Sequence, residues 1–303
     1  MALVGGIEAG GTKFVVGARR EDTLIEQRIF PTRSPDETLA DVGAYLRSIT
    51  LREGPIAAMG VASFGPVDLD PASTTFGTIR GTPKPGWDGF DIFGAVAASS
   101  GAPVAIDTDV NAAALAEGQA GACRGLARHC YVTVGTGIGV GFIEDGRPAR
   151  AIPHAEAGHI RVARAEGDSF AGVCLYHGDC LEGLAAGPAI ERRWNTPGAD
   201  LPAEHPAWQF ESHYLAELCA TLTYIFRPQR IVLAGGVMST AGLLERVRSA
   251  FERKLAGYAL GSFAAAYDTY LVGPELTEAS PGLVGAFLMA ENLLGRSPEA
   301  GHK

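Results

Sequence analysis

Two cysteines and two histidines lie close together in an irregular, glycine-punctuated stretch of the chain. They are His159, Cys174, His177 and Cys180, and they form the pattern H-x14-C-x2-H-x2-C. Two thiolates and two imidazoles are a ligand set that tetrahedral Zn²⁺ takes in structural sites. Four protein ligands leave no open position for a reacting water, so the pattern predicts structural zinc and disfavours a zinc hydrolase. The alternatives are ordinary buried cysteines and histidines, or His154 as a competing ligand.

Two acidic residues, Asp107 and Asp109, follow a predicted strand over residues 104–106. Ligands gather at the carboxyl ends of strands in open α/β sheets, and a carboxylate there can take a proton from a substrate hydroxyl. Aspartate is also a favoured helix N-cap residue. The residues alone therefore leave open which carboxylate is catalytic, and whether Asp109 is catalytic or only a cap.

Three glycine-rich segments each follow a predicted strand: GGTK at 10–13, GTGIG at 135–139 and GGV at 235–237. Glycine lets the backbone approach a phosphate closely and direct its N–H groups toward it. The first segment lacks the Gly-Lys-Ser/Thr of a Walker A loop, and the second has Val140 where the Rossmann fingerprint needs glycine. Any one segment could be only a tight hairpin, but the three together favour a nucleotide cleft between two lobes.

The elements that must position these residues alternate between strands and helices, which predicts an α/β fold. Residues 3–18 and 131–143 both read as strand, glycine turn, strand, which indicates an internal duplication. The predicted strands are 3–7, 14–18, 24–30, 56–62, 104–106, 131–134, 138–143 and 231–234. The predicted helices are 35–49, 110–120, 207–226, 242–255 and 283–294.

Composition excludes several classes of protein. The 303 residues are 47% hydrophobic and 19% charged, which suits a folded protein of two domains. The net charge of −9 argues against partners such as nucleic acid or an anionic membrane. Five scattered cysteines do not suggest a secreted disulfide scaffold, and no apolar run reaches the ~18 residues of a membrane helix. We therefore expect a cytoplasmic protein.

Together these residues resemble the ROK family of sugar kinases, and within it the bacterial fructokinase branch. The resemblance runs from Gly5 to about Ala290. The motifs that carry it are GGIEAGGTKF at 5–14, SFGPVD at 63–68, TPKPGW at 82–87, DTDVNAAALAEG at 107–118, VTVGTGIGVG at 132–141, HAEAGHI at 154–160, CLYHGDCLEGLAAGPAI at 174–190 and PQRIVLAGGVM at 228–238.

The resemblance implies two actin-like (ribonuclease H-like) α/β lobes with a nucleotide and sugar cleft between them. The first lobe would comprise residues 1–116, with a C-terminal helix over 282–298 packing back on it. The second would comprise residues 117–281 and include a zinc-binding loop over 154–182. We also expect a homodimer.

The implied reaction is phosphoryl transfer from Mg-ATP to a hexose hydroxyl, with fructose favoured as the hexose. Asp109 matches the family's catalytic base. The implied sugar contacts are Gly65, Asp109, Glu156, His159 and Glu182. The implied ATP contacts are Gly10, Gly11, Thr12, Lys13, Gly135, Thr136, Gly137, Pro188, Gly235 and Gly236. His159 would also be a zinc ligand, with Cys174, His177 and Cys180.

The sequence departs from the family pattern at several positions. Glu8 stands where most members have Asp, and His177 where many have Cys. Thr108 and Lys84 stand where glucokinase-like members tend to have Asn, which favours fructose, with mannose as a secondary substrate. Thr108 could instead be a helix-start residue without a sugar contact.

Three other functions remain as alternatives: a glucose or mannose kinase, an amino-sugar kinase, and a non-catalytic sugar-binding regulator. Asp109 argues against a pure binder, because a protein that only binds sugar has less need of a base. The first glycine hairpin begins by residue 5, so we expect no N-terminal DNA-binding helices of the repressor type.

Overall fold

The chain folds into two compact units. The computed structural model describes residues 2–149, 154–258, 266–276 and 280–295. Unit 1 contains the chain up to Ala116, His154 and the described residues from Leu276 onward, and unit 2 contains Glu117–Ala149 and the described part of Ala155–Glu275. Within these described ranges, no helix combines the length and apolar character needed to cross a membrane.

Unit 1 is built on a five-stranded sheet of order β3-β2-β1-β4-β5. Its strands are β1 (Leu3–Ala9), β2 (Lys13–Arg20), β3 (Thr23–Pro31), β4 (Ile56–Ser63) and β5 (Val104–Thr108). The first three form an antiparallel meander, whereas β1, β4 and β5 are parallel. The helices are α1 (Pro35–Glu53), α2 (Ile92–Ser100), α3 (Asp109–Ala120), which begins in this unit, and, from the end of the chain, α9 (Pro281–Leu293).

Unit 2 repeats this plan. Its strands are β6 (Arg128–Val134), β7 (Ile138–Glu144), β8 (Arg147–Pro148), β9 (Arg230–Ala234) and β10 (Leu271–Val272), in the order β10-β9-β6-β7-β8. Its helices are α4 (Leu181–Ala185), α5 (Gly187–Trp194), α6 (Ala207–Ile225), α7 (Leu243–Leu255) and α8 (Tyr267–Tyr270). Short 3₁₀ helices cover Ala157–His159, Gly198–Asp200 and Val237–Ser239.

The two sheets have the same topology. In each, a three-stranded antiparallel meander is followed by two strands that add, in parallel, beside the first strand of the meander. Strands β6 and β9 in unit 2 thus correspond to β1 and β4 in unit 1. The predicted α/β class is confirmed, and the predicted duplication is visible as two sheets with one strand order.

Helix α9 packs on the sheet of unit 1, where glycines make room for it. A Cβ atom at Gly60 would lie 1.8 Å from the Ala286 carbonyl oxygen, and one at Gly285 would lie 1.9 Å from that of Ala112. The backbones of α9, β4 and α3 therefore approach closely. The helix predicted over 282–298 is observed as Pro281–Leu293, and residues 296–298 lie outside the described part of the chain.

Candidate functional site

The parallel strands of unit 1 end together. Ala9 is in register with Ser63, which is in register with Thr108. The residues that follow these three strand ends are therefore collected at one edge of the sheet, the position where α/β proteins place ligands. They include the first hairpin (residues 10–13), Gly65 and Asp109.

Asp109 and Asp107 have different surroundings. Asp109 is half-buried, begins α3 and accepts a 2.9 Å hydrogen bond at Oδ1 from the N–H of Val110. Asp107 lies within β5, and its Oδ1 accepts hydrogen bonds of 2.7 Å from both the Thr108 N–H and the Asn111 side-chain amide. Burial raises the pKa of Asp107, against the lowering effect of these hydrogen bonds. Asp107 is therefore a hydrogen-bond acceptor that orders the end of β5. Asp109 is the carboxylate that follows this strand, at the edge of the sheet where the candidate site lies.

Thr108 caps helix α3. Its side chain is buried, with 4% of the residue exposed, and its hydroxyl oxygen accepts a 3.2 Å hydrogen bond from the Asn111 N–H. This geometry supports the helix-start interpretation of Thr108. The residue consequently gives no structural support to a preference for fructose.

His154 packs in unit 1 beside Gly65. Its Nε2 accepts a 3.1 Å hydrogen bond from the Val67 N–H, and a Cβ atom at Gly65 would lie 3.4 Å from its ring. His154 is not among the residues whose ligand atoms converge in unit 2. The geometry therefore does not support His154 as a zinc ligand, and its ring instead orders the loop after β4.

The first hairpin is closed by backbone hydrogen bonds and exposes its tip. Gly10 donates to the Lys13 carbonyl at 2.9 Å, and Thr32 donates to the Thr12 carbonyl at 2.9 Å. Gly11, Thr12 and Lys13 are exposed, and a Cβ atom at Gly11 would meet nothing within 4 Å. The tip is thus open enough for a phosphate to approach the backbone.

Glu8 is directed at the start of helix α9. The Ser280 hydroxyl donates to its carboxylate, and a Cβ atom at Gly282 would lie 2.7 Å from its carboxyl carbon. A carboxylate is stabilised at a helix N-terminus, where backbone N–H groups are unpaired. Glu8 therefore has a structural partner within unit 1, which its position in the sequence did not indicate.

The second hairpin (residues 135–137) lies against the start of helix α5. Gly135 donates to the Gly137 carbonyl at 2.9 Å, and its own carbonyl accepts a 2.7 Å bond from the N–H of Gly187. Thr136 and Pro188 are exposed beside this contact. Gly235, which follows β9, has a φ of +96°, a left-handed conformation that favours glycine. These segments lie at the carboxyl ends of β6 and β9 in unit 2.

Glu182 is held on the same hairpin. Its Oε2 accepts a 2.9 Å hydrogen bond from the Ile138 N–H, and a Cβ atom at Gly137 would lie 2.7 Å from that oxygen. Gly158 packs on the same residue, because a Cβ atom there would lie 2.0 Å from the Ile138 carbonyl oxygen. The 3₁₀ helix that contains Gly158 and His159 and the helix that contains Glu182 are thus both fixed to the start of β7.

The Cys/His cluster (His159, Cys174, His177 and Cys180) brings its four ligand atoms within 4.8 Å of one another. His159 Nδ1 lies 3.4 Å from Cys180 Sγ and 3.7 Å from Cys174 Sγ, which is also 3.7 Å from His177 Nδ1. Tetrahedral zinc with bonds of about 2.0–2.3 Å separates its ligands by about 3.3–3.8 Å. Burial raises the pKa of the Cys180 thiol to about 11, so a metal would have to replace a tightly held proton. The residues fit structural zinc in type, and the three separations given above match its ligand spacing.

The imidazole of His159 joins this cluster to Glu182. Its Nδ1 faces the cysteines, and its Nε2 lies 3.9 Å from Glu182 Oε1. Glu156, three residues earlier, is exposed, and its carbonyl oxygen accepts a 3.0 Å bond from the His159 N–H. Unit 2 therefore brings together three of the predicted sugar contacts and the predicted metal ligands. Neither Gly158 nor Gly187 was predicted from the sequence as a residue of the site, although both lie in the motifs of residues 154–160 and 174–190.

Comparison with known proteins places the chain among sugar kinases. The ROK family model matches residues 4–292. A fructokinase of Pediococcus pentosaceus is 39% identical over 293 residues, covering 96% of this chain and 99% of the relative. A fructokinase of Zymomonas mobilis is 41% identical over 295 residues, covering 95% and 96%. The crystal structure of a ROK hexokinase from Thermus thermophilus superposes with a TM-score of 0.77 at 29% identity, covering 97% of this chain and 100% of the other. The resemblance seen in the motifs and the expected fold are confirmed.

Proposed function

Because this chain belongs to the ROK family, we propose that it is an ATP-dependent fructokinase, a phosphotransferase that converts D-fructose and ATP to D-fructose 6-phosphate and ADP. The observation that carries the proposal is the strand register of unit 1, which sets Asp109 at one sheet edge with Gly65 and the first hairpin. The identity of the sugar rests on the two fructokinases that the chain resembles.

The phosphates of Mg-ATP would be bound by the exposed backbone of the hairpins. Mg²⁺ enters with ATP as part of the substrate and neutralises charge on the phosphoryl oxygens. In unit 1 we assign the phosphate contacts to Gly10, Gly11, Thr12 and Lys13. In unit 2 we assign the nucleotide contacts to Gly135, Thr136, Gly137, Pro188, Gly235 and Gly236. Exposed glycine turns and a helix N-terminus suit an anion, because they let a phosphate approach the backbone closely and direct N–H groups toward it.

The sugar would be bound by Gly65 and Asp109 of unit 1 and by Glu156, His159 and Glu182 of unit 2. The 6-hydroxyl oxygen of fructose attacks the γ-phosphorus and forms the new P–O bond. The bond between the γ-phosphorus and the β–γ bridging oxygen breaks, and ADP leaves with that electron pair. Asp109 takes the hydroxyl proton, a general-base role that contributes typically 10²–10⁴-fold to rate.

His159, Cys174, His177 and Cys180 would hold a structural zinc ion. When bound, the ion contributes folding free energy and fixes the orientation of its ligands. If His159 ligated the metal through Nδ1, its remaining proton would be on Nε2. That N–H would then donate toward Glu182 or a sugar hydroxyl, so the cluster sets the tautomer of a substrate-binding residue.

We also propose a cytoplasmic homodimer that acts on free hexose. The net charge of −9 argues against nucleic acid or an anionic membrane as a partner.

The proposal is tested by following the products with ³¹P NMR after mixing the protein, Mg-ATP and fructose. We expect a sugar 6-phosphate resonance to grow as the γ-phosphate resonance of ATP declines, and no free phosphate beyond the rate without sugar. Phosphate release without a sugar phosphate would show an ATPase. No turnover with fructose, mannose, glucose or amino sugars would favour the non-catalytic regulator.

A further inference from the structure

A buried ion pair fastens the segment that connects two of the cluster ligands. Asp168 lies in this connecting segment (residues 160–173), between His159 and Cys174, and its side chain is 3% exposed. Its Oδ2 accepts a 3.0 Å hydrogen bond from Arg193 Nη2 and a further hydrogen bond from the Tyr214 hydroxyl. Asp168 thereby links the irregular segment to helices α5 and α6.

Arg193 is held from several sides. Its Nη2 also donates to the Leu184 carbonyl oxygen at 3.0 Å, and its guanidinium lies 4.7 Å from the ring centre of Phe170 and 5.3 Å from that of Phe210. Its side chain is 8% exposed. Leu184 belongs to α4, the helix that begins directly after Cys180 and contains Glu182. One guanidinium thus contacts the connecting segment, α4 and α6.

The connecting segment is tied to the cluster at other points as well. Arg164 donates to Asp179, which lies between His177 and Cys180, at 3.0 Å. Leu181 donates to the Ile160 carbonyl at 3.0 Å, directly after Cys180. Arg164 and Asp179 are about one-third exposed, so water screens this pair. The Asp168–Arg193 pair is by contrast a buried ion pair, and removing one partner would leave an uncompensated buried charge.

We infer that Asp168 and Arg193 are positioning residues for the Cys/His cluster and for Glu182, which they act on through the connecting segment and α4. This inference rests on the proposed function, because it assigns a role toward the zinc ligands and the sugar contacts. A planar guanidinium that bonds a carboxylate and a carbonyl while lying on aromatic rings cannot be replaced by the ammonium of lysine. Loosening the pair should let His159 and Cys174 leave the metal more often.

The test uses the zinc-loaded protein and three variants: Asp168→Asn, Arg193→Lys and Tyr214→Phe. The last removes only the hydroxyl, which donates to Asp168 and accepts a 3.4 Å hydrogen bond from the Ala165 N–H, so it should fold even where the others do not. A matched control exists in unit 1, where Arg19 bonds Glu291 at 2.8 Å and lies 5.1 Å from the ring centre of Phe287. Glu291→Gln breaks a comparable shielded pair, of the same chemistry, in the unit that does not contain the cluster.

Zinc release to a colorimetric chelator is measured for each protein, followed by KM for sugar and for ATP. We expect Asp168→Asn and Arg193→Lys to release zinc at least tenfold faster, and Tyr214→Phe about threefold faster. KM for the sugar should rise in parallel, while KM for ATP stays within twofold. Glu291→Gln should lower the melting temperature and leave zinc release and KM unchanged.

Zinc release at the wild-type rate in all three variants would overturn the inference, and so would equally accelerated release in Glu291→Gln. The absence of bound zinc in the wild-type protein would also overturn it. A wild-type protein that binds zinc, shows the expected differences in release and phosphorylates no sugar would instead overturn the proposed function alone. The release measurement needs only the metal, so the two failures are distinguishable.

Discussion

At the scale of single residues, Asp109 and Asp107 are a natural pair for testing the catalytic base. Asp109→Asn removes the proton acceptor without changing side-chain size, so we expect kcat to fall 10²–10⁴-fold with little change in sugar binding. Steady-state kinetics with fructose and saturating Mg-ATP measures this. A loss below about tenfold would contradict a general-base role.

The control for that experiment is Asp107→Asn. The Asp107 carboxylate accepts two hydrogen bonds at one oxygen, from Thr108 and Asn111. The carbonyl oxygen of an asparagine can accept the same two bonds, so kcat should fall much less than in Asp109→Asn. Equal losses in the two variants would mean that the acidic pair acts as a structural unit.

Glu211 provides a second test at this scale, through the pH dependence of stability. It is 1% exposed, neither carboxyl oxygen has a hydrogen-bond partner in the described structure, and burial raises its pKa well above the ordinary value. The nearby charge of Arg193 lowers the pKa only in part. The folded protein therefore keeps this proton above the pKa of the unfolded chain, about 4.3.

The sign of the effect follows from proton linkage. Above pH ~4.3 the unfolded state binds fewer protons at this position than the folded state. The carboxyl therefore lowers the free energy of unfolding by about 1.4 kcal/mol for each pH unit, until the pH reaches the folded-state pKa. Glu211→Gln removes this slope. The free energy of unfolding measured in urea should therefore increase for the variant relative to the wild type as pH rises from 4 to 8. The exposed Glu204→Gln is the control and should change the slope little. A pH-independent difference for Glu211→Gln would show that the carboxyl is ionised in the folded protein.

At the scale of elements, helix α9 tests the packing of unit 1. A Cβ atom at Gly285 would lie 1.9 Å from the Ala112 carbonyl in α3. Gly285→Ala must therefore push α9 from α3, and overpacking of this kind costs typically 1–3 kcal/mol. Chemical denaturation measures the loss. Gly273→Ala is the control, because a Cβ atom there would meet nothing within 4 Å; equal stability of both variants would contradict the close packing.

The Cys/His cluster is the second element with a direct test. Structural zinc contributes folding free energy, so removing it with a strong chelator should lower the melting temperature. Elemental analysis of protein purified without chelator should give about one zinc per chain. Restoring Mg²⁺ alone should not recover the melting temperature or the activity. A metal-free protein with an unchanged melting temperature would contradict the zinc assignment.

Local signals predicted most of the elements, and long-range contacts explain what they missed. The hairpins at residues 10–13 and 135–137 and the start of α3 follow from strand periodicity and turn glycines, which are local in sequence. Gly60 reads only as a small residue in a strand, whereas its role is to admit α9 from more than 200 residues away. The Asp168–Arg193 pair likewise joins an irregular segment to a helix, and no periodicity relates the two positions.

The candidate site was likewise predictable from the sequence where its residues are close along the chain. Cys174, His177 and Cys180 were predictable as a ligand group because short spacing keeps them together. His159 was predicted with them, and the structure brings it to the group from the preceding 3₁₀ helix. Thr108 was open to two interpretations, since a threonine before the first helical residue is equally suited to capping and to substrate contact. Only its burial and its bond from the Asn111 N–H favour the capping role.

At the scale of the whole molecule, one strand order occurs twice, and in each copy a glycine turn follows the first strand of the meander. Unit 1 contributes the proposed base, and unit 2 contributes the cluster and Glu182. The proposed function requires residues of both units, so no single unit should phosphorylate a sugar. Phosphorylation of the sugar should accordingly require the intact chain with its metal in place.

The measurement that tests the fructokinase assignment most directly is kcat/KM for fructose, mannose and glucose, determined by coupled ADP release with saturating Mg-ATP. A site built around the hydroxyls of one sugar discriminates against analogues that leave its polar groups unpaired. We predict that fructose has the highest value, mannose a lower one and glucose the lowest. A value for glucose equal to or above that for fructose would contradict the fructokinase assignment, and no sugar-dependent ADP release would contradict the kinase itself.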